Sequence, residues 1–201
     1  MYQYRHLTEE QQRELVAERR ARGFPSHSPP HYVAGEHDFL LTAACYEHVA
    51  HMQTAERRQL LLARCFEEAD SAGMTIQAWV VLPNHYHLLA RPTRSDLHLF
   101  FAHIHGATSY LWNGEDHARG RKVWYRYGDR AIRSERHYYT TLNYLHFNPV
   151  KHGWAASPYD WHESSVHWYL AHYGREWLRD LWVRYPVREY GATWDVDGVG
   201  S

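Results

Sequence analysis

Two β-forming runs, MTIQAWVVLP from Met74 and HYHLLARP from His85, are split only by Pro83 and Asn84. Proline presets φ and asparagine tolerates turn geometry, so the stretch reads as strand, tight turn, strand. A hairpin in mid-chain needs further strands beside it and helices over it to bury its apolar side. The flanking sequence supplies both. Before it, HDFLLTAACYEH reads as a strand and TAERRQLLLARCFEEADSAG as a helix. In that helix Leu61, Cys65 and Ala69 fall at i, i+4 and i+8 with Leu62 and Phe66 beside them, and Gly73 ends it. After it, SDLHLFFAHIHGATSYLWNG is helical, with Ser95 as cap and Leu97, Phe100, Ile104 and Leu111 on one face. RKVWYRYG from Arg121 reads as a fourth strand, and SERHYYTTLNYLHF as a further helix, capped by Ser134 and terminated at Asn148-Pro149. The order β-α-β-β-α-β followed by a helix predicts an α+β, ferredoxin-like (RRM-like) fold: an antiparallel sheet with helices on one face.

The flanks read differently. Residues 1–34 form a charged extension: TEEQQRELVAERRARGF is a charged helix with Thr8 as cap and Gly23 as stop, and PSHSPPH is a linker. Residues 35–165 hold the core. Residues 166–201 form a C-terminal helical tail: the tryptophan-rich stretch SPYDWHESSVHWYLAHYGREWLRDLW predicts one more packed helix, and DVDGVGS a frayed end. Met1 to Arg22 carries no secretory h-region, and no apolar run approaches the roughly 20 residues of a membrane span. Cys45 and Cys65 lack ligand-like spacing and read as reduced, buried thiols of a cytoplasmic protein.

Net charge is −1, an average that hides a basic segment. From Arg119 to Arg136, seven Lys and Arg residues oppose only Asp129 and Glu135, with Trp124, Tyr125 and Tyr127 interleaved. Basic groups beside flat rings can grip phosphates and stack bases; composition alone favours a solvated loop around a buried tryptophan.

The chain holds 18 histidines, so roughly one or two His-x-His triplets arise by chance. Two stand out. His85 and His87 lie on a predicted strand, where i and i+2 share a face and can aim at one ion. His103 and His105 lie on a predicted helix, about 200° apart, and cannot; they read as one packed and one exposed side chain. Neutral imidazole suits Zn, Mn, Fe, Ni or Cu and leaves room for a phosphate. On the late helix, Tyr144 and Asn148 share a face at i, i+4. A phenol and an amide facing a two-histidine metal make a phosphoryl-transfer constellation. Tyr138 and Tyr139 lie on the same helix, and pattern alone does not choose among the three.

The stretches AWVVLPNHYHLLARP, VWYRYGDRAIRSERHY and YLHFNPVKHGW, taken together and in this order, resemble the REP-associated tyrosine transposases, a branch of the single-tyrosine HUH transposases of insertion-sequence type. The resemblance spans about residues 36–165. It implies that His85 and His87 bind Mg or Mn, with Tyr86 in place of the usual bulky hydrophobe between them. It implies that Tyr144, just before NPVK, is the nucleophile, and that Asn148 adds a third polar metal contact. The implied activity is cleavage and joining of single-stranded hairpin DNA through a 5′-phosphotyrosine, by a monomer or homodimer. Arg126, Arg130 and Arg133, then Arg121, Lys122 and Trp124, are the expected DNA contacts. Two other classes stay open: a host-retained hairpin DNA- or RNA-binding protein with little cleavage, and a metal phosphodiesterase in which water attacks.

Overall fold

The computed structural model describes residues 37–92 and 97–191, with Thr8 and Glu10. Most of the expected N-terminal helix, its Gly23 stop, the PSHSPPH linker, the Ser95 cap and the DVDGVGS end lie outside the described residues. Every element below belongs to one compact unit, Ala34–Ser201.

The elements run β1 (Phe39–Ala44), α1 (Ala55–Ala72), β2 (Met74–Val81), β3 (His85–Pro92), α2 (Leu97–Glu115), β4 (Gly128–Ala131), α3 (Glu135–Lys151) and α4 (Val166–Arg184). The sheet order is β2-β3-β1-β4, and every pairing is antiparallel. This is the ferredoxin-like arrangement that the element order predicts. Thr54 caps α1 by accepting from the Arg57 amide, and Gly73 ends it in the left-handed region at φ 64°, which costs glycine no Cβ clash.

The two helices of the pattern cover one face as expected, and the late helix and the tail helix cover the other. On the first, Leu61, Cys65 and Ala69 of α1 and Phe100, Phe101, Ile104 and Trp112 of α2 pack on Leu41, Ala43, Tyr86 and Leu88. On the second, Leu142, Tyr144 and Leu145 of α3 and Val166, Tyr169, Leu178 and Leu181 of α4 pack on Leu40, Val80 and Leu89. Each such Leu or Phe contributes about 1.5–3 kcal/mol over its exposed state. The doubly covered β3 is buried along its length except at Arg91, and α3, wedged between sheet and α4, is buried from Thr141 to His146.

Three local expectations are corrected. RKVWYRYG is not the fourth strand: it contributes one bridge, Trp124 to Cys45, and pairing with β1 begins at Gly128. Aromatic side chains were the β signal there, but they serve the core between α2 and the sheet instead. Leu111 is exposed, and Thr108 and Trp112 take the inward positions of α2. Helix α3 is capped by Ser134 as expected but runs through Pro149 to Lys151. Proline there removes a single amide donor, and the His152 and Trp154 amides still close the end on Asn148 and Pro149 carbonyls. No described helix is long and apolar enough to cross a membrane.

Candidate active site

Strand periodicity places the histidine pair. On β3, Tyr86, Leu88 and Ala90 point toward α1 and α2. His85 and His87 alternate with them and face α3, with ring centroids 5.1 Å apart. Pairing of β1 with β3 sets Thr42 opposite His87, and the Thr42 hydroxyl lies 2.8 Å from His87 Nδ1. In the hairpin turn, Asn84 Oδ1 lies 2.7 Å from His85 Nδ1. Both Nδ1 atoms are therefore occupied from the sheet side, and both Nε2 atoms face the helix.

Helix α3 answers with two side chains one turn apart. The Tyr144 hydroxyl lies 3.4 Å from His87 Nε2, and Asn148 Oδ1 lies 3.2 Å from His85 Nε2. The four side chains of the sequence reading thus converge, all buried. Tyr138 and Tyr139 do not join them: they pack edge to face on each other, and Tyr139 stacks on Tyr185. The HIH triplet divides as expected. His103 is exposed and pairs with Glu68, while His105 is packed on the far side of the sheet, stacked on Trp124 at 4.4 Å.

Three further groups crowd the phenol. The Lys151 ammonium lies 5.1 Å from the Tyr144 ring centroid and donates to the Gly191 carbonyl at 2.9 Å. Gly191, at φ 77°, lies so close to the ring that any Cβ there would collide with it. Tyr190 packs edge to face at 5.6 Å, anchored through its hydroxyl to Thr141 and His137. Burial raises the Tyr190 phenol above its ordinary pKa, against a lowering by Thr141 and Arg130. Beneath this cover Tyr144 is 1% exposed. His152 adds a third imidazole edge-on to His85, with ring centroids 4.8 Å apart.

Would these residues hold a divalent ion? An amide oxygen only accepts, so His85 Nδ1 donates to Asn84 and its Nε2 carries a lone pair. Asn148 presents Oδ1 to that lone pair, while its Nδ2 is buried with no hydrogen-bond partner among the described residues. Two acceptors facing each other suit a cation, and imidazole plus amide oxygen is a donor set that Mn or Mg accepts. Among the described residues no three His, Cys, Asp or Glu side chains form a metal-holding group, so the ion would draw on His85, His87 and Asn148.

The expected DNA contacts separate. Arg126, Arg130 and Arg133 present exposed side chains around β4. Arg130 stands opposite Leu40 on the α3 side of the sheet; burial lowers its pKa, with the Tyr190 and Tyr144 phenols acting the other way. The Lys122 ammonium lies 4.4 Å from the Tyr46 ring centroid. Arg121 is bound up in an ion pair with Asp116 at 2.6 Å and a bond to Asn113. Trp124 is a correction: it is 7% exposed and donates to Thr108 at 2.9 Å, so no face of it is open to a base. The sequence reading missed Asn84, Thr42, Lys151 and His152. Asn84, Lys151 and His152 lie within quoted motifs, but Thr42 reaches the site only through cross-strand register.

No protein-family model matches the chain. The chain is 33% identical over 110 residues to the REP-associated tyrosine transposase of Escherichia coli (strain K12), covering 53% of this chain and 64% of that protein's length. Among solved structures it is similar to the REP-associated tyrosine transposase bound to a REP hairpin, with a TM-score of 0.59 and 24% identity over 71% of this chain and 84% of that one. The structural likeness establishes the fold; the sequence match bears out the resemblance read from the three motifs.

Proposed function

We propose, from the resemblance to REP-associated tyrosine transposases in sequence and fold, that this chain is a metal-dependent single-strand DNA endonuclease and strand transferase acting on hairpin DNA. The observation that carries the reading is the meeting of the Tyr144 hydroxyl with His87 Nε2 at 3.4 Å, beside a second imidazole and the Asn148 amide. The relative of known structure was solved with a REP hairpin, which supports hairpin DNA as the substrate class.

His85, His87 and Asn148 would hold Mg or Mn, which would supply Lewis acidity and neutralise charge on the scissile phosphate. The chain's own residues do the rest. An ordinary phenol ionises near pH ~10, so Tyr144 needs a cationic neighbourhood; Lys151 and Arg130 contribute to it. The Tyr144 phenol releases its proton to solvent, its oxygen attacks phosphorus, the P–O3′ bond breaks, and the electron pair leaves on O3′, which takes a proton back from solvent. The products are a 5′-phosphotyrosine and a free 3′-OH. Attack on that phosphotyrosine by the 3′-OH of a second strand restores the phenol and joins the strands. One phosphodiester is exchanged for another, so no ATP is needed. Arg126, Arg130 and Arg133 grip flanking phosphates. Attack requires Tyr190 and Gly191 to uncover the phenol. That same cover favours a second reading, a hairpin DNA- or RNA-binding protein with little or no cleavage.

The test is incubation with labelled hairpin oligonucleotides and Mn. Transfer predicts a shifted band that survives boiling in detergent and disappears in Tyr144→Phe with hairpin affinity retained. Affinity without any adduct would select the binding reading, and turnover without adduct, insensitive to Tyr144→Phe, a water-attacking phosphodiesterase.

A further inference from the structure

We infer that Asn84 and Thr42 form a neutral outer shell which decides the nitrogen each site histidine offers to a divalent ion, and how strongly. The inference rests on the metal reading above. Asn84 Oδ1 lies 2.7 Å from His85 Nδ1 and Thr42 Oγ1 lies 2.8 Å from His87 Nδ1. Each contact engages the sheet-side nitrogen: the Asn84 oxygen can only accept, which leaves the His85 lone pair on Nε2 toward α3, and the Thr42 hydroxyl can accept from His87 Nδ1–H in the same sense.

Both partners are held rigidly enough for this role. Asn84 belongs to a turn pinned from outside: its carbonyl accepts from the Cys45 amide at 2.7 Å, and the Pro83 carbonyl accepts from the Met52 amide at 2.8 Å. The Leu82 amide closes the turn on the His85 carbonyl at 2.8 Å. Thr42 sits in mid-strand, paired with His87 on one side and Gly128 on the other. The backbone of each residue is thus fixed beside its imidazole.

The chemical type of the partners matters as much as their position. A carboxylate bonded to a ligand histidine makes the imidazole more basic and cancels part of the ion's charge. An amide and a hydroxyl orient the rings without adding charge. An ion held this way is bound less tightly and keeps more of its charge for an anionic phosphodiester. Asn84 and Thr42 are positioning residues that set this balance.

The experiment measures Mn binding to the full chain by electron paramagnetic resonance, without DNA, and adduct formation on hairpin oligonucleotides at saturating Mn. Asn84→Leu and Thr42→Val each weaken Mn binding about 10- to 100-fold, and Thr42→Ser recovers most of the loss. Asn84→Asp binds Mn more tightly than the parent yet forms adduct more slowly. A residue that only stabilised the turn would not produce that opposed pair. Unchanged Mn affinity in folded Asn84→Leu and Thr42→Val, or no tightening in Asn84→Asp, overturns the inference while leaving the metal reading intact. A parent chain that binds no Mn overturns both.

Discussion

Each face of the sheet buries a histidine against a tyrosine, and the two pairs are chemically opposite. Toward α1 and α2, the Tyr86 hydroxyl meets His105 Nε2 at 2.9 Å among the apolar side chains of the first core. Burial there lowers the His105 pKa to about 3, raises the Cys45 thiol to about 12 and drives the Tyr86 phenol well above its ordinary value. Every group is held in its neutral form, and none is poised to react. Toward α3, His87 meets Tyr144 among Asn148, Asn84, Thr42 and Lys151. The residue types are the same; the acceptors and cations around them differ. A buried histidine next to a tyrosine means nothing by itself, and the polar groups that converge on it make the site.

The largest expected break in that contrast is between the two tyrosines. Tyr144→Phe abolishes the detergent-stable DNA adduct, a loss of about a thousandfold or more because the nucleophilic oxygen is gone. Tyr86→Phe leaves adduct yield nearly unchanged and costs about 1–3 kcal/mol in urea unfolding, since buried His105 loses its partner. Next in size, Trp124→Ala costs about 3–5 kcal/mol in denaturation while the folded fraction binds hairpin DNA as before. Loss of affinity without loss of stability would place that ring at the DNA after all.

A pH series sharpens the comparison. His105 is depressed in the folded protein from 6.5 to about 3, so between those values the unfolded chain binds the extra proton. Its contribution is fully present above pH 6.5 and is lost as pH falls toward about 3, at up to about 1.4 kcal/mol per pH unit. Unfolding free energies from urea titrations across this range fall less steeply in His105→Phe than in the parent, by up to that amount. The smallest effect is electrostatic. Arg126→Gln weakens hairpin binding a few-fold and reduces the salt slope by about one. Arg121→Gln leaves the slope unchanged, because its guanidinium is spent on Asp116.

Much of this was legible in the residues. Period-two alternation puts His85 and His87 on one face and Tyr86 on the other, and period 3.6 sets Tyr144 and Asn148 together; both hold in the fold. The HIH triplet sorts by the same rule, with His103 out and His105 in. Trp124 was misread because an aromatic among arginines looks alike whether it stacks on a base or on His105. The fourth strand was misplaced for a related reason: β-forming aromatics pack as well beside a sheet as within it. The Pro149 boundary was drawn early because one missing amide donor is a local cost that packing of α3 between sheet and α4 outweighs.

Local sequence determined the periodicities, the turn at Pro83-Asn84, the caps at Ser134 and Gly73, and thereby which side chains share a face. These depend on backbone geometry over a few residues, which each stretch carries within itself. Only the tertiary structure decided that a second helical layer closes over the histidine pair, that Thr42 stands behind His87, and that Tyr190 and Gly191 cover Tyr144. Those contacts join positions 45 to 63 residues apart along the chain, and they exist only once strand register and helix packing have brought distant segments together.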